Sequence, residues 1–202
     1  MITVLRHGEV AGRAHVFRGR SDEPLTERGR AQVLAVADRV GPLTRIAASP
    51  LRRCRDVAAT LAEVRGLALA ILPDMAEMDF GAWEGASVAE IAAAHPETYA
   101  AFHCYADHAV APGGETLVAF RQRVVAAWEA WSAAEAGGHG LLLCHAGVMR
   151  ILLQHLLAIP PGALSRFALP EAAQFQVSLL PGHAAILMRL NTCADFFSPS
   201  SS

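Results

Sequence analysis

Arg6-His7-Gly8 closes an apolar run that begins at Ile2. An imidazole beside a guanidinium at the end of such a run pairs a nucleophile with a fork for anions. Three later segments stand in the same setting, each after an apolar stretch. They are Ser49-Pro50-Leu51-Arg52-Arg53, Glu77 ahead of Asp79-Phe80-Gly81, and Leu143-Cys144-His145-Ala146-Gly147. If the apolar stretches are parallel strands, all four segments lie beyond the carboxyl ends, where open α/β sheets bind ligands. Two histidines, two arginines and a carboxylate would then share a pocket equipped to move a phosphoryl group through a histidine.

His7 is the candidate nucleophile. A neutral ring nitrogen can attack phosphorus once the other nitrogen is fixed by a carbonyl, and the Gly8 turn can bring one close. Arg6 and Arg53 are candidates for gripping the phosphoryl oxygens, which Arg matches bidentately. On spacing alone a solvated helix face accounts for Arg53 equally well, and it is the better reading of Arg52 and Arg55. Ser49, as a helix N-cap, would offer backbone donors to a phosphate. His145 is expected to donate to the phosphate as an imidazolium and to tune His7. Two histidines would also suit zinc, but no His-x-x-x-His or acidic triad accompanies them, so no metal is expected. Glu77 is the candidate general acid and base, since a buried carboxyl can protonate an alkoxide and later deprotonate water. Asp74, Asp79 and Glu84 compete with it, and spacing does not choose among the four. Of the remaining histidines only His15, near the basic loop, is placed to meet a substrate.

The strands and helices needed to position these groups are readable. Ile2–Leu5, Arg45–Ser49, Ala68–Leu72 and Leu141–Cys144 read as short buried strands. Thr26 caps a helix whose inward face is Val33, Val36, Ala37 and Val40, stopped by Gly41-Pro42. A second helix starts near Pro50, with Leu51, Cys54, Ala58 and Leu61 inward. A long helix over Thr116–Ala134 turns Phe120, Val124, Ala127, Trp128 and Trp131 inward, and Val148–Leu157 forms another. Gln174–Leu180 and Ala184–Leu190 read as a terminal strand pair around Pro181-Gly182. Alternating strands and helices predict a three-layer α/β/α sandwich with a mostly parallel central sheet. Residues 1–197 read as a single domain. Residues 73–115 would form a helical flap, with short helices near Val88–Ala94 and Glu97–Tyr105, and 198–202 a disordered tail.

Composition narrows the function classes. Apolar residues are 53% of the 202, but no run reaches the ~18 that a membrane span needs. Cys54, Cys104, Cys144 and Cys193 are widely spaced without a Cys-x-x-Cys pair, and no signal-peptide pattern opens the chain. A reduced, cytoplasmic protein is expected. The net charge of −2 argues against nucleic acid. All 17 basic residues are Arg; residues 1–65 net +5, with twelve Arg against seven acids, and residues 66–202 net −7, with five against twelve. A basic cleft on an acidic body suits a small anionic substrate.

These segments together resemble the histidine phosphatase superfamily, in its phosphoglycerate-mutase-like branch. Leu5-Arg6-His7-Gly8-Glu9 resembles the opening motif and Asp22-x-Pro24-Leu25-Thr26-x-x-Gly29 the second. Ser49-Pro50-Leu51-x-Arg53-Cys54 with Thr60 is similar to the third, and Glu77-x-Asp79-Phe80-Gly81-x-Trp83-Glu84-Gly85 to the acid segment of the phosphatases. Pro112-Gly113-Gly114-Glu115-Thr116 and His145-x-Gly147 complete the set. The resemblance implies a metal-independent phosphomonoesterase without cofactor, working through a phosphohistidine at His7. It implies that Arg6, Arg53 and His145 bind the phosphoryl group, that Glu77 is the proton donor and that Glu115 orders the pocket. Arg18, from the basic segment, and Gly19 are further substrate-binding candidates.

The acid segment and the short chain look most like the α-ribazole phosphatase branch, which implies a small phosphorylated metabolite such as α-ribazole 5′-phosphate. Two departures stand out: Val10 where the family has Thr or Ser, and Arg13 near a customary Asn, where Arg13 would supply a second cation to substrate. The alternatives are a phosphoglycerate mutase and a non-catalytic phospho-ligand-binding protein. No membrane or nucleic-acid partner is expected, and a monomer or a homodimer is.

Overall fold

Burial with a period of two along the central strands sets the architecture. In β1 (Ile2–Arg6) and β4 (Gly140–Cys144), Ile2, Val4, Leu142 and Cys144 enter one core, while Leu5, Leu141 and Leu143 enter another. A sheet with apolar side chains on both faces must be covered on both. The computed structural model describes residues 1–133, 138–180 and 182–191.

The sheet adds β2 (Arg45–Ala48), β3 (Leu69–Ile71), β5 (Gln174–Ser178) and β6 (Ile186–Asn191), in the order β3-β2-β4-β1-β5-β6. Neighbours are parallel from β3 to β1; β5 and β6 are antiparallel at the far side. On one face lie α1 (Glu27–Arg39) and α2 (Arg52–Arg65), with Val33, Val36, Cys54, Val57 and Leu61 packed on Leu5 and Leu143. On the other lie α5 (Leu117–Ala133) and α6 (Ala146–Leu157), with Phe120, Val124, Trp128, Ile151 and Leu152 packed on Val4 and Leu142. The protein is therefore the expected α/β/α sandwich. Residues 73–115 carry α3 (Val88–Ala94), α4 (Pro96–His103) and two single 3₁₀ turns. Ser87 and Glu90 form a reciprocal cap at the start of α3, and Pro96 opens the next helix, where a missing N–H costs nothing.

Thr26 caps α1 as its sequence implies, its hydroxyl accepting from the Gly29 amide at 2.9 Å. Ser49 is not the cap of α2. Its N–H extends the ladder to Leu143 O at 2.9 Å, and Leu51 takes the cap position without a side-chain bond. The proposed tail at 198–202, and Pro181 of the last turn, lie outside the described residues. No helix among the described residues is long and apolar enough to cross a membrane.

Register levels the strand ends. Arg6 pairs with Cys144, and Leu143 pairs with both Leu5 and Ala48. The next residue along each chain, His7, Ser49 or His145, therefore emerges at one edge of the sheet. That convergence rests on β1 and β2 both flanking β4, although more than ninety residues separate it from either.

Candidate active site

His7 stands at this edge, its N–H bonded to Cys144 O at 3.0 Å. Its Nδ1 lies 2.8 Å from Gly8 O, so Nδ1 carries the proton and Nε2 keeps its lone pair. Gly8 permits this turn because a Cβ there would collide with the Gly29 carbonyl. Burial, then the charges of Arg6 and Arg53, hold the imidazole pKa well below its ordinary 6.5. His7 is thus neutral at neutral pH, the form in which an imidazole nitrogen is nucleophilic.

His145 lies with its ring centre 5.3 Å from that of His7 and is fully buried. Arg53 Nε–H donates to His145 Nδ1 at 3.2 Å. An arginine cannot accept, so the proton of His145 sits on Nε2 and is donated to Ser49 Oγ at 2.7 Å. Burial, Arg53 and His7 hold its pKa well below 6.5. The expected imidazolium is corrected to a neutral ring with both nitrogens engaged.

The Arg53 guanidinium is equally committed: to Ser21 O at 2.6 Å and Gly19 O at 2.7 Å. Arg53 and His145 are fully buried, and neither walls the cavity.

The cavity holds about 620 Å³ and is walled by His7, Arg6, Arg18, Glu77, Arg150 and Glu171 among others. Arg6 donates through Nη1 to Leu169 O at 2.7 Å, while its buried Nε has no partner. Glu77, 7% exposed, is held through both oxygens: Oε1 accepts from the Met78 amide and Oε2 from the Gly147 amide, each at 3.0 Å. Gly147 belongs to the first turn of α6. A Cβ at 147 would run into that carboxylate.

The competing acids have other duties. Glu84 accepts from the amides of Gly19, Arg20 and Phe80, Asp79 from Gly81, and Asp74 is exposed. Only Glu77 of the four walls the cavity.

The remaining sequence candidates scatter. Arg13 is exposed, pairs with Glu90 at 3.2 Å and does not wall the cavity. Gly19 is packed behind the loop, where a Cβ would strike Met78 O and Glu84. Glu115 pairs bidentately with Arg123 at 2.7 and 2.8 Å. Arg123 in turn donates to the carbonyls of Asp74, Ala76 and Glu77, so Glu115 acts on the loop that presents Glu77. His15 does wall the cavity.

Sequence reasoning missed Arg150, Tyr105 and Glu171. Arg150 lies one helical turn beyond Ala146 on the same face of α6, a spacing that could have found it. Its Nε is buried without a partner. Tyr105 walls the cavity beside it, and burial raises its phenol pKa against the opposing charge of Arg150. Nothing in local sequence marks Tyr105, which the flap brings in on a left-handed backbone, φ 55°.

Chemically, a neutral imidazole with a fixed tautomer, arginines aimed at one volume and a carboxylate across from them can exchange a phosphoryl group with an alcohol or water. Among the described residues no group of three His, Cys, Asp or Glu could hold a metal ion.

Comparison with known proteins agrees with this chemistry. The model of the histidine phosphatase superfamily (branch 1) matches residues 2–192. The adenosylcobalamin/α-ribazole phosphatase of Salmonella typhimurium is 31% identical over 91% of this chain and 92% of its own. The "Probable phosphoglycerate mutase GpmB" of Yersinia pestis is 30% identical over 87% and 83%. Among solved structures, the mycobacterial glucosyl-3-phosphoglycerate phosphatase in complex with VO3 superposes with a TM-score of 0.80 at 29% identity, covering 95% of this chain and 96% of that one.

Proposed function

The chain belongs to the histidine phosphatase superfamily (branch 1), and on that premise we propose that it hydrolyses phosphomonoesters through a phosphohistidine at His7. It is a phosphoric monoester hydrolase whose substrate is a small phosphorylated compound. The finer reading of substrate is α-ribazole 5′-phosphate, after the name of the Salmonella relative.

His7 Nε2 attacks phosphorus as the P–O bond to the alcohol breaks. Glu77 gives its proton to the departing alkoxide, then takes one from a water that attacks the phosphohistidine, returning His7 and releasing phosphate. Arg6 and Arg150 meet the charge on the transferred oxygens from the wall, and Arg53 meets it from its buried position. Its donors reach the phosphoryl group directly only if the anion displaces the carbonyls of Ser21 and Gly19. No metal enters this scheme, because the arginines supply the positive charge.

The observation that carries this reading is the Nδ1–H to Gly8 O bond, which leaves a neutral ring with one nucleophilic nitrogen beside Arg6 and Glu77. Rapid quenching during turnover should trap an acid-labile, base-stable phosphate on His7, and His7→Ala should trap none; turnover without that intermediate overturns the reading. A mutase, which returns the phosphoryl group to another oxygen of its substrate, is not favoured. Phosphorus NMR on 3-phosphoglycerate should show free phosphate and no 2-phosphoglycerate. The enzyme assignment also displaces the binding-only alternative. A cytoplasmic setting is part of the same reading, supported by the free thiols of Cys54, Cys104 and Cys144.

A further inference from the structure

A second cavity of about 340 Å³ adjoins the first, and the two share Phe17, Glu77, Phe80, Tyr105, Gly147 and Arg150 in their walls. The second lies under the flap and is lined by Phe17, Met78, Phe80, Tyr99, Phe102 and Phe120. Its rings brace one another: Phe17 meets Phe80 edge to face at 5.0 Å and 62°, and Phe80 meets Phe102 tilted at 6.2 Å and 52°. Such packing gives a preformed wall that need not be ordered when a ligand enters. Among its charged residues are Glu77, on the leaving-group side, and Arg150, which already donates to Phe167 O.

Taking the phosphatase reading above as its premise, we infer that this cavity binds the alcohol half of the substrate, and that this half is an uncharged, apolar ring system as large as two fused rings. A cavity of about 150 Å³ suffices for benzene, so this one has room for two fused rings. The position follows from the chemistry. The group that receives the proton of Glu77 is the leaving oxygen, so the carbon skeleton on that oxygen must lie where Glu77 meets the second cavity. An alcohol half bearing its own carboxylate would have to leave water for this largely aromatic lining and be disfavoured.

The test uses phosphate esters of primary alcohols with similar leaving-group basicity: ethyl, benzyl and 2-naphthylmethyl phosphate, with 3-phosphoglycerate beside them. The ratio kcat/KM should rise in that order, by about 30-fold or more from ethyl to naphthylmethyl, as burial of an aromatic ring implies. 3-Phosphoglycerate should fall at or below ethyl. Hydrolysis of all four at equal efficiency overturns the inference while leaving the phosphatase reading intact. The matching phosphonates, which cannot be hydrolysed, separate the opposite case. If calorimetry shows naphthylmethylphosphonate bound more tightly than ethylphosphonate while no ester turns over, the cavity assignment stands and the phosphatase reading falls. Equal phosphonate affinities overturn the assignment. Val88→Phe, which adds a ring to the cavity wall, should lower the naphthylmethyl-to-ethyl ratio about tenfold.

Discussion

The carboxylate of Glu77 is fastened by the amide of Gly147, 3.0 Å away and seventy residues along the chain, in the first turn of the helix that follows His145. The proposed acid therefore takes its position from the strand–helix junction that also presents the second histidine. The glycine is required by close approach, since any Cβ would occupy the carboxylate's place. Gly147→Ala should leave the fold intact by circular dichroism and displace Glu77. Losing a hydrogen bond to a charged group costs about 1.5–3 kcal/mol, or about 10- to 100-fold in rate. The loss should be largest for alkyl phosphates and small for p-nitrophenyl phosphate, whose leaving group needs no proton. Glu77→Gln should show the same split.

His7→Ala should abolish turnover to the background rate, and incubation of the native enzyme with a strong chelator should leave turnover unchanged. Steady-state phosphate release checks both.

Acid should destabilise the protein through its buried imidazoles. His7 and His145 both titrate well below 6.5 in the folded chain, chiefly because burial penalises the cation. Between those lowered values and 6.5 the unfolded chain binds protons that the folded chain does not, so stability falls as pH drops through that window and is fully present above it. Thermal melts from pH 7.5 to 5 should show a falling Tm, with a shallower slope in His145→Gln. The acid limb of kcat/KM should likewise lie below 6.5, because free His7 stays deprotonated there.

Glu115 and Arg123 form the tie that holds the Glu77 loop to α5, with side chains 14% and 15% exposed. Arg123→Ala frees three carbonyls and strands the Glu115 carboxylate; a cost of about 2 kcal/mol is expected by denaturant unfolding. A double-mutant cycle with Glu115→Ala should give a coupling of about 1 kcal/mol or more. Both single variants should also lower kcat for alkyl phosphates, since the loop presents the acid.

Arg150 walls both cavities and keeps a buried Nε without a partner. Arg150→Ala should raise KM and weaken inhibition by inorganic phosphate about tenfold while kcat changes less, and Arg150→Lys should restore part of the affinity. Initial rates with phosphate as competitor measure both.

Much of the framework was legible because it is written in short-range patterns. The runs at Ile2–Leu5 and Leu141–Cys144 are apolar at every position but Thr3, the mark of strands covered on both faces. Thr26 and Pro96 are local end signals, and each acts at a helix terminus. Ser49 misled as a cap because its backbone N–H is claimed by β4, a partner no local pattern names. Arg13 misled because a count along a loop says nothing about where a long side chain finds its counter-charge, here Glu90 on the flap.

By itself, then, the chain determined its alternation of strands and helices, the segments that end at the sheet edge and the residue types gathered there, since these depend on periodicity and composition. Only tertiary structure put Glu77, and not Asp74, Asp79 or Glu84, in the cavity wall, put the proton of His145 on Nε2, buried Arg53 away from the wall and brought Tyr105 and Arg150 to it. Those outcomes depend on which donors, carbonyls and charges lie within about 3 Å after packing, a matter of distances across the fold that spacing along a chain does not encode.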